Sequence, residues 1–229
     1  LGLALLVTSD GEVPLFHHTY AGNQHDAVTF KSVAEELFAR CRALTQGASD
    51  ITLVFDKGNN SADTLAIVGA NPVHFVGSLV PTQHPDLLRI ARQAMRRLDP
   101  TQLPAVWAYR TRKVVFGVER TILCTFNHEL FEAQTRTLAR EIRKRKRKLH
   151  TLQARLKRRH PGSRGKAPTV EGVQKHVKEI LRGRHMADLF TVTVRQSRHR
   201  LPRLAVRYRA PAYRRLAATL LGKTLIFTD

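Results

Sequence analysis

Hydrophobic positions in the first eighty residues form short runs separated by turn formers. The runs Leu1 to Thr8 and Glu12 to Tyr20 flank Ser9, Asp10 and Gly11. Asp-Gly between two such runs predicts a β-hairpin, and Pro14 puts the second strand near an edge or bulge. Asp26 is placed to cap a helix in which Val28, Phe30, Val33, Leu37, Cys41 and Leu44 recur near helical spacing. The uncharged run Ile51 to Phe55 reads as a central strand with both faces covered. Lys57 to Asn60 break it, and Ser61 caps a helix through Val68. Val73 to Val80 form another strand between prolines. The order β-β-α-β-α-β predicts a mixed α/β sheet.

Beyond residue 80 the pattern changes. Leu87, Leu88, Ile90, Ala91 and Met95 predict a helix over Asp86 to Leu98, and a domain boundary is expected at about residue 90, within the interval 80 to 104. Val106 to Arg110 and Lys113 to Phe126 read as strands. From Glu129 to about Arg159, Phe131, Leu138, Ile142, Leu149, Leu152 and Leu156 are spaced by threes, fours and sevens, which predicts one long helix with a coiled-coil-like seam. A linker from His160 to Pro168 precedes a helix capped by Thr169, strands at Leu189 to Arg195, Arg203 to Arg209 and Lys223 to Thr228, and a helix at Tyr213 to Leu221.

Charge sharpens this division. Residues 1 to 100 hold 8 Lys and Arg against 10 Asp and Glu, whereas residues 101 to 229 hold 31 against 8, within an overall formal charge of +21. Such a surplus points to a polyanion as partner. The unbroken run Arg143, Lys144, Arg145, Lys146, Arg147 and Lys148 lies on the long helix, extended by Arg155, Lys157, Arg158 and Arg159. A charge run is ordinarily a solvated face; here the excess favours contact with phosphates, which sets affinity without reading bases. Cys41 and Cys124 lack partners nearby in sequence and read as buried thiols in a reducing compartment. No run of eighteen apolar residues is present, so no spanning helix is predicted. A cytoplasmic, nucleoid-associated protein is expected. The chain opens inside an apolar strand without Met and reads as an internal piece of a longer protein.

Asp56 is the candidate for chemistry, because ligands bind at the carboxyl ends of strands in open α/β sheets. Strand-ending aspartates also serve as turn formers and caps, and Lys57 beside it reads either as a phosphate contact or as a solvated lysine. His17, His18 and His25 lack the cysteine or second carboxylate that ligand spacing would require, and read as structural or solvent-facing.

Three motifs carry a resemblance: Tyr20-x-Gly22-Asn23-x-x-Asp26, the stretch Thr52 to Ser61 with Asp56-Lys57-Gly58-x-Asn60-Ser61, and Phe75 to Pro81. With the β-β-α-β order they resemble the insertion-sequence transposases of the DDE class, whose catalytic domain is RNase H-like. The resemblance implies a partial RNase H-like core over residues 1 to 90 and an α+β, strand-rich insertion over 91 to 229 carrying the long basic helix. Asp56 matches the second of three acids that hold two Mg²⁺ or Mn²⁺ ions in the whole protein; the first is expected upstream of Leu1. The Tyr-x2-Arg-x3-Glu-x6-Lys signature that bears the third acid is absent: Tyr109 is followed by Arg112, but position 116 is Phe. The implied activity is metal-dependent cleavage and joining of duplex DNA by homodimers acting on paired ends. With Asp56 alone, these 229 residues are expected to be inert while binding DNA. The alternatives are a non-catalytic nucleic-acid-binding protein working through its basic helix, and a coiled-coil assembly protein pairing through Leu138 to Leu156.

Overall fold

The computed structural model describes residues 2–7, 14–21, 33–34, 36–40, 42–43, 52–71, 73–160, 164–165, 167–197 and 201–229. β1 (Gly2–Val7) and β2 (Pro14–Tyr20) pair antiparallel, with the register slipping between Leu6 and Val7 where Val7 meets Pro14. Proline lacks the amide that the ladder needs, so a bulge falls there. The predicted turn at Ser9 to Gly11, the cap Asp26 and Cys41 lie outside the described residues; residues 36–40 are helical.

The main sheet has six strands in the order β3-β4-β10-β7-β6-β5: β3 (Thr52–Phe55), β4 (His74–Ser78), β5 (Arg96–Asp99), β6 (Leu103–Val115), β7 (Val118–Asn127) and β10 (Lys223–Thr228). β3 and β4 are parallel, joined through the helix Ala62–Gly69, and the remaining pairs are antiparallel. The protein is thus mixed α/β with a mixed sheet. Ser61 caps the connecting helix as predicted, its Oγ accepting the Thr64 amide at 3.0 Å. The aromatic residues Phe55, Phe75 and Phe227 from three adjacent strands meet with ring centroids 5.3 to 6.2 Å apart.

Three expectations are corrected. β3 is not a central strand: among the described residues it pairs with β4 alone, and Val54 is 74% exposed. A short uncharged run does not by itself tell an inner strand from an edge. The helix over Asp86 to Leu98 is only Pro85–Leu88, followed by a turn at Arg92–Ala94 and β5. Pairing of Arg96 and Arg97 with Ala108 and Trp107 overrides helical periodicity there. The predicted strand Lys113 to Phe126 is interrupted at Phe116 and Gly117, whose φ angles of 52° and 79° make the two-residue hairpin turn between β6 and β7.

The chain forms two units, Leu1–Asn127 with Lys223–Asp229, and His128–Gly222. This division falls well past the expected boundary near residue 90, because β5, β6 and β7 hydrogen-bond into the first unit's sheet although the surrounding sequence is already basic. The second unit is built on the long helix His128–Arg158. Its Leu138, Leu149, Leu152 and Leu156 pack with Val173, Val177 and Ile180 of the helix Val170–Ile180, with Met186, Leu189 and Phe190, and with Leu204. β8 (Phe190–Gln196) and β9 (Pro202–Tyr208) form an antiparallel pair, and the helix Ala210–Thr219 follows. The leucine seam, which the coiled-coil alternative would pair between two chains, is covered inside this unit's own core. No helix among the described residues is long and apolar enough to cross a membrane.

Candidate nucleic-acid interface and the Asp56 strand end

Asp56 follows β3 immediately, with extended backbone (φ −83°, ψ 164°), and the turn Lys57–Asn59 carries the chain away. The parallel register sets Phe55 beside Gly77, so Asp56 comes level with Ser78 at the end of β4. Ser78 Oγ donates to Asp56 Oδ1 at 2.8 Å and accepts the Lys57 amide at 3.0 Å. Asn60 Nδ2 donates to the Ser78 carbonyl at 2.7 Å. The carboxylate is exposed yet oriented. The Lys57 amide, then the Ser78 hydroxyl, holds its pKa below the ordinary carboxylate value by stabilising the charged form.

Sequence reasoning placed Asp56 at the end of a strand and did not place Ser78 beside it. The available signal was register: when two parallel strands are aligned, a polar residue ending the second falls beside the acid ending the first. The Lys57 side chain is exposed. Among the described residues no three His, Cys, Asp or Glu side chains converge as a metal site. Asp56 fits as one oxygen ligand for a hard cation; these residues do not by themselves fit a two-metal centre, which takes several carboxylates.

The cationic surface belongs to the second unit. Residues 128–222 hold 26 Lys and Arg against 6 Asp and Glu, close to the whole net charge of the chain. On the long helix Arg143, Lys144, Lys146, Arg147, Lys148, Arg155, Lys157 and Arg158 are exposed, while Leu138, Leu149, Leu152 and Leu156 are buried. Arg136, Arg140, Arg143 and Arg147, spaced by fours and threes, form a continuous outer ridge.

Arg145 departs from its neighbours. It is half-buried, pairs with Glu141 one turn back, and donates from Nη2 to the Arg182 carbonyl at 3.0 Å, tying the long helix to the turn after Ile180. Arg159 donates to the carbonyls of Arg164 and Gly165 at 3.3 and 2.7 Å, bracing the segment beyond the helix. The structure thus gives two of the ten predicted helix-run cations internal partners. On β9, Arg203 and Arg207 are exposed while Leu204 is buried.

No family model, curated protein or solved structure matches this chain.

Proposed function

We propose that this chain is part of a DNA transposase of the DDE class, with its RNase H-like core in the first unit and a DNA-binding insertion in the second. The observation that carries the reading is the parallel β3–β4 pair joined through a helix, with Asp56 oriented at its carboxyl end by Ser78. That is where an α/β sheet presents ligands. In this reading Asp56 would be one of three acids holding two Mg²⁺ or Mn²⁺ ions, whose chemistry would be to activate the attacking oxygen and stabilise the leaving one in phosphoryl transfer. The residues of this chain do two things. Asp56 offers an ionised carboxylate whose second oxygen is the one not bonded to Ser78. Arg143, Lys144, Lys146, Arg147, Lys148, Arg155, Lys157 and Arg158, with Lys57 beside the acid, contact phosphates of duplex DNA and release counterions.

The test is a transposition assay in cells on the whole gene that carries this segment, paired with duplex binding in vitro. Asp56→Asn abolishes transposition and leaves DNA affinity intact; an unchanged transposition frequency rejects the reading. The isolated 229 residues are expected not to nick plasmid DNA with Mg²⁺ or Mn²⁺.

A second reading, a non-catalytic nucleic-acid-binding protein, is favoured by the confinement of the excess charge to residues 128–222, away in sequence from Asp56. It expects binding with a steep salt slope and no effect of metal or of Asp56→Asn.

A further inference from the structure

A pocket of about 340 Å³ opens within the second unit between the turn before Met186–Leu189 and the first turns of the helix Ala210–Thr219. Three nitrogen-bearing side chains line it, His185, Arg209 and Arg215, over an aliphatic floor of Leu189 and Leu216. Asp188 contributes the single carboxylate of the lining.

Each of these is placed by local structure. Arg209 stands just before its helix. Its amide donates to the Leu189 carbonyl at 2.9 Å, and its Nη1 to the Asp188 carbonyl at 3.3 Å. That guanidinium is therefore anchored at the rim through one of five N–H donors. Arg215 lies about one and a half helical turns further on and carries an exposed side chain. His185 has φ +67°, a left-handed backbone that bulky residues rarely adopt, and it sits two residues after Gly183 at φ +140°. Burial, then the charge of Arg184, depresses its imidazole pKa, which favours a neutral ring that both donates and accepts.

The chemistry of the lining narrows the ligand. Two guanidinium groups match the bidentate geometry of phosphate oxygens. A bare phosphate would leave most of the space and the leucine floor unused, since volumes near 340 Å³ belong to the smaller end of organic-ligand sites, roughly 300–1,000 Å³. The Asp188 carboxylate repels a second anionic group but accepts from hydroxyl or amine donors. Together, the geometry points to a nucleotide-binding pocket: phosphate on Arg209 and Arg215, the nucleoside over Leu189 and Leu216, and a sugar hydroxyl or base amine on Asp188. The same chemistry is offered by a free mononucleotide and by one nucleotide of a single strand. This assignment goes beyond DNA contact by the long helix and does not depend on the transposase reading, because it involves neither Asp56 nor a metal.

The experiment is calorimetric titration of the 229-residue chain with deoxyadenosine monophosphate, with a ten-nucleotide single strand and with inorganic phosphate. Arg215→Ala is the first variant, and Ala212→Phe, which fills the pocket from its lining helix, is the second; circular dichroism checks that each is folded. The wild type binds the mononucleotide or the oligonucleotide, and both variants weaken that binding about tenfold or more, as loss of a charge-assisted contact does. Lys175→Ala, at an exposed position on the helix Val170–Ile180, leaves mononucleotide binding unchanged. Binding of the mononucleotide identifies a free nucleotide as ligand, and binding of the oligonucleotide alone identifies a strand. Equal competition by inorganic phosphate, or affinities that neither pocket variant alters, overturns the assignment.

Discussion

A Cβ built on Gly77 would lie 2.5 Å from Phe227 Cε1 and 2.8 Å from Phe55 Cε2, both in the buried aromatic group of the main sheet. Neither ring can withdraw without disturbing Phe75, which contacts both. Gly77→Ala should therefore destabilise the first unit by about 1–3 kcal/mol, as overpacking does, measured as a fall in the urea midpoint. An unchanged midpoint would mean that the rings repack freely. Ser78, the next residue, controls charge rather than volume. Removing its hydroxyl takes away one of the donors that favour ionised Asp56, so Ser78→Ala should raise the Asp56 pKa toward its ordinary value. The linkage has a definite sign. A depressed folded-state pKa contributes stability above the unfolded value and loses it as pH falls through the folded one, so Ser78→Ala shifts that loss to higher pH. A carboxyl carbon NMR titration reads the change directly, and identical Asp56 curves in both proteins would exclude Ser78 as its partner.

At the scale of elements, the long helix separates cations that face solvent from one that holds the unit together. Replacing Arg140, Arg143 and Arg147 by Gln removes three charges from the outer ridge; the slope of log affinity for duplex DNA against log salt should fall by roughly 2–3 without loss of stability. Arg145→Gln should do the reverse: it breaks the contacts to Glu141 and the Arg182 carbonyl, lowers the melting temperature and leaves the slope nearly unchanged. Equal effects on the slope would remove the distinction. This contrast also shows where sequence was legible. The spacing of Leu138, Leu149, Leu152 and Leu156 fixed the helix and its buried side, and Asp-Gly, Ser61 and Thr169 marked a hairpin and two caps that the described strands and helices bear out. A run of six cations, however, carries no mark saying that its third member turns inward, since Arg182 comes near only through folding. For the same reason Ser78 comes beside Asp56 only once the two strands are aligned in register, and β3 could not be told from an inner strand. Asp56 and the outward cations were readable because strand ends and charge runs are local; their partners were not, because those come from register.

At the scale of the whole molecule, the second unit is inserted into a hairpin. β7 ends at Asn127 and β10 starts at Lys223, and the two are antiparallel neighbours with Phe126 opposite Lys223. The ends of the first unit's interrupted chain are therefore as close as those of adjacent strands, about 5 Å apart. Lys223 itself, though buried, is satisfied inside the first unit, its Nζ donating to the carbonyls of Leu88 and Ile90 at 2.6 and 2.8 Å. Residues 128–222 have their own leucine core and close on themselves where Gln134 Oε1 accepts the Gly222 amide at 2.8 Å. Replacing residues 128–222 by a single Gly, so that Asn127-Gly makes the two-residue turn between Phe126 and Lys223, should thus leave a first unit that folds cooperatively. Because nearly all the excess charge departs with the excised unit, this shortened protein should lose duplex binding at 0.1 M salt, whereas residues 128–222 expressed alone should retain it with the full salt slope. Urea unfolding and anisotropy with a fluorescent duplex read both halves. A shortened protein that still binds DNA as tightly as the whole chain would place the interface on the main sheet and remove the long helix from the proposal. A shortened protein that fails to fold would show that the hairpin needs its insert, against the reading of two separable units.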